Sequence, residues 1–252
     1  MSIVESIKKG FTQATKLINV ILVFFAFNVV VGLISLPLGN PARSADPGII
    51  AVSVISSILF FLVFILLQGG ALGLVKDQIK TQSASMAHFV TYGRKYYVRI
   101  LGLLVLYILL AAGIVLLLSL ISAGILLLGD NIVTRSLVAT IVTVAAVAII
   151  TYLIYPVYTI VVEDVGVMEA FKKGVAIARS NFWKTLGLFM AMLIVSLLIS
   201  LIVGFFIGLV TIPINMNISQ VLIAIVNAGV QSYVPIVMMV AFMSFYMSLI
   251  AG

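Results

Sequence analysis

Apolar residues run through this chain in six blocks, each too long and too free of charge to be a helix of a soluble core. From Leu17 to Leu38 the only polar side chains are Asn19, Asn28 and Ser35. Further blocks run from about Ile49 to Val75, Ile100 to Leu128, Ser136 to Val162 and Thr185 to Val210, and from Val221 to the C-terminus. About twenty consecutive apolar residues cross the hydrocarbon layer as a helix, because only a helix satisfies its own backbone polar groups there. The pattern predicts an all-α integral membrane protein with six transmembrane helices.

Helix breakers separate the blocks. Pro37, Gly39, Asn40, Pro41 and Pro47 predict a loop over Gly39 to Gly48. Gly129 to Arg135 is expected to be a short turn and Thr211 to Gln220 a polar one. Pro156 should kink the fourth span near its end, and Tyr152, Tyr155 and Tyr158 around it are expected at the lipid headgroup level. Asn227, Gln231 and Pro235 make the sixth span the most polar and predict a bend in it.

Three segments that are neither wholly apolar nor turns precede the first, third and fifth spans. In residues 2–16, Ile3, Ile7, Phe11 and Ala14 share one helical face, with Glu5, Lys8, Lys9, Thr12 and Lys16 on the others. The connector from Lys76 to Arg99 places Met86, Phe89, Val90, Tyr97 and Ile100 near helical spacing around Gly93. From Glu163 to Leu188, Met168, Phe171, Val175, Ala178 and Phe182 recur opposite Glu169, Lys172, Lys173 and Arg179. Each reads as an amphipathic helix on the membrane surface.

A repeat follows from this order. Ser6-Ile7-Lys8-Lys9-Gly10 matches Ala170-Phe171-Lys172-Lys173-Gly174, and Gly93 is the counterpart of Gly10 and Gly174, at spacings of 83 and 81 residues. The chain, one polytopic domain over 1–252, is thus expected to hold three pseudo-repeats, about 1–75, 76–162 and 163–252. Each is a cytoplasmic amphipathic helix followed by a transmembrane hairpin, and a two-span unit keeps its orientation each time.

Charge sets the expected orientation. All Lys and Arg residues except Arg43 and Arg135 lie in or beside the three surface segments. By the positive-inside tendency that side is cytoplasmic, and an even number of spans puts both termini there. Of the 252 residues, 64% are hydrophobic and 8% charged, which leaves no room for a soluble catalytic domain. The formal charge of +7 is spent beside the spans, so nucleic acid is not an expected partner. Glu5, Lys8, Lys9 and Lys16 precede the first block and no cleavable signal peptide is expected.

Candidate chemistry is sparse. Cysteine is absent, which removes thiolate nucleophiles and thiolate metal sites. No Asp, Glu, Lys, Arg or His falls in the middle of any block, whereas proton relays and coupled ion sites need them there. His88, the only histidine, lacks the partners a metal or a nucleophile would require, and reads as an interfacial residue. Glu163 and Asp164 read as the start of the third surface helix, favoured by its positive end. No catalytic residue, metal site or cofactor is expected.

Other residues carry binding expectations. Lys172, Lys173, Arg179, Trp183 and Lys184 are candidates for contact with anionic lipid headgroups. Ser196, Ser200, Gly204 and Gly208 recur every four residues, as do Gly69 and Gly73, the spacing that lets helices pack closely in lipid. That packing is expected within the bundle or between subunits. Asn28, Gln68, Asn227 and Gln231 are candidates for interhelical hydrogen bonds or a polar path.

One stretch resembles a known family. Ile160-Val161-Val162-Glu163-Asp164, Glu169-Ala170-Phe171-Lys172-Lys173-Gly174, Ser180-Asn181-Phe182-Trp183-Lys184 and Leu186-Gly187-Leu188 are similar to the recurrent core of a broad prokaryotic group. Its members are multi-span proteins similar to the membrane domain beside some glycerophosphodiester phosphodiesterases. The resemblance covers about thirty residues, with the six-span layout agreeing over most of the chain. It implies a six-helix protein of a prokaryotic plasma membrane and carries over no catalytic residue, because the phosphodiesterase activity of those relatives belongs to a separate barrel domain.

Two functional expectations stand. The first is a non-enzymatic scaffold, accessory or lipid-interacting component with a basic cytoplasmic face, whose partners are anionic lipids, further copies of the chain or another membrane protein. The second is a channel or facilitator with an uncharged polar path.

Overall fold

A computed structural model describes residues 1–38, 46–127 and 129–251. Nine α-helices account for nearly all of them: α1 (Ile3–Ala14), α2 (Ile18–Leu38), α3 (Pro47–Thr81), α4 (Phe89–Leu127), α5 (Ile132–Leu153), α6 (Pro156–Glu163), α7 (Val167–Ser180), α8 (Phe182–Thr211) and α9 (Met216–Ile250). Six helical stretches, Ile3–Ser35, Pro47–Thr81, Met86–Leu127, Ile132–Glu163, Phe182–Thr211 and Ile218–Ile250, are long and apolar enough to cross a membrane. This is a multi-span membrane protein, as the six apolar blocks predict.

Several boundaries differ from the expectation, each for a local reason. Residues 39–45, which hold most of the expected first loop and Arg43, lie outside the described residues. Pro47 opens α3 rather than breaking a helix, since the first helical position needs no N–H donor, and the Asp46 carboxylate accepts from the Gly48 N–H at 2.8 Å. Helix α5 begins at Ile132, inside the expected turn, because Asn131 Oδ1 accepts from the N–H groups of Val133 and Thr134. Likewise α9 begins at Met216, within the stretch expected as a turn, and continues through Pro235.

The segment around Gly93 is not a separate surface helix. A 3₁₀ turn over Met86–His88 leads into α4, which runs unbroken from Phe89 to Leu127. Nothing there stops a helix, and a single interior glycine costs only about 1 kcal/mol. The connector is correspondingly shorter: α3 extends to Thr81, and Gln82 turns the chain at φ 56°.

The chain divides into two compact units, Met1–Tyr97 with Leu188–Gly252, and Val98–Gly187. In the first, α9 is the central element. Its residues Val234, Ile236, Val237 and Met239 to Phe242 are buried, as are Met243, Phe245 and Tyr246, and α1, α2 and α3 pack against it. Small residues permit close approaches. A Cβ on Gly10 would lie 2.9 Å from the Val237 carbonyl, and one on Gly93 2.7 Å from the Leu66 carbonyl. Gly69 and Gly73, singled out by their spacing, sit against Gly93 and the Tyr92 ring. Two glutamines share this interior, Gln78 donating to Gln13 at 2.8 Å, and at its edge Gln13 and Lys16 both donate to the exposed Gln82 at 3.3 Å.

The buried face of α1 is therefore Ser6, Gly10, Gln13 and Ala14, while Ile3, Ile7 and Phe11 are only half-buried. Of the expected apolar face, Ala14 alone is fully buried against the protein. Close backbone contact selects the small side chains, and in lipid the larger apolar ones lose nothing by staying outside. The entry of α1 is closed by a reciprocal cap, with Ser2 Oγ accepting from the Glu5 N–H and Glu5 Oε2 from the Ser2 N–H at 2.7 Å.

In the second unit the expected kink at Pro156 is a break between α5 and α6. Gly174 of α7 is seated on that break, where a Cβ would lie 2.5 Å from the Pro156 nitrogen. Tyr155 and Tyr158 are buried in the protein, and the Tyr155 hydroxyl is 3.0 Å from Thr185 Oγ1. Through Thr185 the Tyr155 hydroxyl reaches the start of α8, where a buried ring and a partnered hydroxyl are both satisfied.

Candidate functional site

The second unit gathers most of the sequence-predicted polar candidates. Helix α6 ends at Glu163, and Asp164 follows at φ 58°, a left-handed conformation that aspartate tolerates better than most residues. Gly166, not either carboxylate, is the N-cap of α7. The reading of Glu163 and Asp164 as a helix start is thus corrected: they close the preceding helix and hold cations. Asp164 Oδ1 accepts from Arg99 Nη1 at 2.6 Å, and Lys173 Nζ lies 2.9 Å from Glu163 and 3.0 Å from Glu169.

Helix α7 buries Ala170, Gly174 and Ala178, a stripe of small residues four apart. Phe171 and Val175 are half-buried and Met168 exposed, so the larger members of the expected face lie beside the contact. Lys172, Lys173, Arg179, Trp183 and Lys184 are all exposed, with Trp183 at 79%. Among them Lys173 is engaged, and its two carboxylate neighbours push its ammonium above the usual lysine range. Arg179, Lys172 and Lys184 have no ion-pair or hydrogen-bond partner among the described residues.

A cavity of about 470 Å³ lies between α4, α5 and α7, lined by Leu110, Ile114, Ile149, Tyr152, Leu153, Phe171, Val175 and Arg179. Its size falls within that of sites for small molecules, roughly 300–1,000 Å³. The Tyr152 ring also packs on Phe182 at 5.3 Å between centroids. No pattern in the sequence points to this cavity, because Leu110, Ile114 and Ile149 belong to uniformly apolar blocks.

The remaining candidates lie apart from it. Ser196 is half-buried and Ser200, Gly204 and Gly208 are exposed, and a Cβ on Gly204 or Gly208 would meet nothing within 4 Å. Asn28 and Gln68 are half-buried, Asn227 and Gln231 exposed, and none of the four has a hydrogen-bond partner among the described residues. His88 is exposed, its ring edge-on to Tyr92 at 5.9 Å. No group of three or more metal-binding side chains occurs among the described residues. Sequence reasoning missed the glutamines Gln13, Gln78 and Gln82, whose partnership spans more than sixty residues of chain.

No curated protein and no solved structure matches the chain significantly. A family model does match, over residues 1–249, and its description is a domain of unknown function, DUF7847. With the match running through all six apolar helices and the α6–α7 site, the chain belongs to the DUF7847 family.

Proposed function

We propose that this protein is a non-enzymatic, lipid-interacting scaffold or accessory component of a prokaryotic plasma membrane, with both termini and a basic face on the cytoplasmic side. One observation carries the reading. Gly10, Gly93 and Gly174 are each buried against the backbone of another helix, and each is flanked by cations that point outward: Lys8, then Arg94 with Lys95, then Lys172 with Lys173. A glycine seat on one side and exposed cations on the other is what three repeats of an amphipathic surface helix require, two of them α1 and α7 and the third the first turns of α4. Anionic headgroups are the matching partner, since each cation near such a surface adds attraction of about 1 kcal/mol.

The resemblance of residues 160–188 to the membrane domain beside some phosphodiesterases agrees with an accessory role. A channel is less well supported, because Asn227 and Gln231 are exposed on α9 while Asn28 and Gln68 are half-buried elsewhere. Flotation of purified protein with vesicle-bound anionic lipid tests the proposal. The Lys172→Gln, Lys184→Gln double variant should remain folded and bind phosphatidylglycerol vesicles several-fold more weakly, with the difference fading at high salt. Unchanged binding would sink the basic-face reading, and a reporter at Gly252 accessible only from outside would overturn the orientation.

A further inference from the structure

Half of the cations of the second unit are already neutralised: Arg99 by Asp164, Arg135 by Asp130, and Lys173 by Glu163 and Glu169. Lys172, Lys184 and Arg179 are not, and of these three Arg179 stands apart by its position. It has no ion-pair or hydrogen-bond partner among the described residues, and it is the charged residue on the wall of the 470 Å³ cavity. The rest of that wall is largely hydrocarbon, from Leu110 and Ile114 of α4, Ile149 of α5 and Phe171 of α7, and Tyr152 is the other lining residue whose side chain carries a polar group, its hydroxyl. That hydroxyl too lacks a partner among the described residues.

An apolar cavity with a guanidinium on its wall suits one class of ligand, an amphiphile with an acyl chain and a negative head. The guanidinium offers a planar fork of donors that matches two phosphate oxygens at once. An acyl chain that leaves the bilayer for this cavity exchanges one hydrocarbon environment for another. The apolar walls therefore supply shape, and discrimination between lipids falls to the charged group.

We propose that this cavity holds a single anionic phospholipid, its acyl chain along α4 and α5 and its phosphate on Arg179, with Tyr152 as an additional donor. The proposal rests on the lipid-interacting reading above and narrows it to one stoichiometric site distinct from the diffuse basic face.

Native mass spectrometry of the full chain in neutral detergent, titrated with phosphatidylglycerol, phosphatidylcholine or inorganic phosphate, tests it. One phosphatidylglycerol should bind at least tenfold more tightly than phosphatidylcholine, and inorganic phosphate should give no adduct. Arg179→Gln should lower phosphatidylglycerol binding to the phosphatidylcholine level, and Ile149→Trp, which fills the cavity, should abolish both. If Ile149→Trp fails to fold, Arg179→Gln still decides, because its side chain is exposed. Equal binding of the two lipids, unchanged binding by Arg179→Gln, or phosphate binding as tight as the lipid would overturn the site. Vesicle flotation of the Lys172→Gln, Lys184→Gln variant separates the two ideas: weakened flotation together with an unchanged Arg179→Gln adduct removes the cavity site alone.

Discussion

The hydroxyl of Tyr107 donates to the backbone carbonyl of Leu153 at 2.7 Å, joining α4 to the last residue of α5. The bond sits where it is needed. Pro156 has no N–H, so the helical turn before it is left with carbonyls that the helix does not satisfy, and in an apolar setting such a group is costly. A side chain 46 residues away in sequence supplies the donor.

Tyr107→Phe keeps the ring and removes only that donor. It should cost about 1–3 kcal/mol, the range for an acceptor left bare in the interior. Thermal unfolding in detergent reads it as a lower Tm, and an unchanged Tm would show that water or lipid replaces the hydroxyl.

Two glycine substitutions should have opposite effects. Gly174→Ala forces a Cβ to within 2.5 Å of the Pro156 nitrogen, and backbone cannot step aside cheaply, so a loss of about 1–3 kcal/mol is expected. Gly204→Ala meets nothing within 4 Å and should be neutral or gain up to about 1 kcal/mol from helix propensity. Parallel melting curves check both, and a loss at Gly204 would reveal a partner helix, such as a second copy, on that face.

At Asp164 the conformation should matter more than the charge. The pair with Arg99 is a third to a half exposed, so losing it in Asp164→Gly is expected to cost no more than about 1 kcal/mol. Asp164→Val loses the same pair and also holds a β-branched residue at φ 58°, adding about 1–2 kcal/mol. The difference between the two variants in chemical or thermal unfolding isolates the backbone cost.

Lys173 makes a prediction about alkaline pH. Its folded pKa lies above its ordinary value of 10.5 because Glu163 and Glu169 surround it. A raised folded value means that its contribution is complete below the unfolded pKa and is lost as pH rises through the folded one. The Tm difference between the wild-type protein and Lys173→Gln should therefore be constant from pH 7 to 9 and close above about pH 10.5. A difference that already closes between pH 7 and 9 would show that the ammonium is not the source.

Spans, breaks and charge clusters are legible in the sequence, and so is the recurrence of Gly10, Gly93 and Gly174. The bilayer makes them so: a spanning helix must be long, apolar and uncharged, and a glycine beside two cations at recurring spacing stands out against that background. The faces that meet protein were legible only in part. Periodicity in α1 and α7 pointed to Ile3, Ile7, Met168 and Phe171 together with Ala14 and Ala178; of these the structure fully buries the two alanines, alongside Ser6, Gly10, Gln13, Ala170 and Gly174.

The reason is that hydrocarbon lies both inside and outside the bundle. In water an apolar stripe marks the interior; in lipid it marks nothing, and the interior is chosen by how closely two backbones can approach. The sequence by itself determined the six spans, the basic segments and the proline break. Only the tertiary structure decided which small residues meet, that Asp164 and Glu163 hold Arg99 and Lys173, and that Arg179 stands on the wall of an apolar cavity without an ion-pair partner among the described residues.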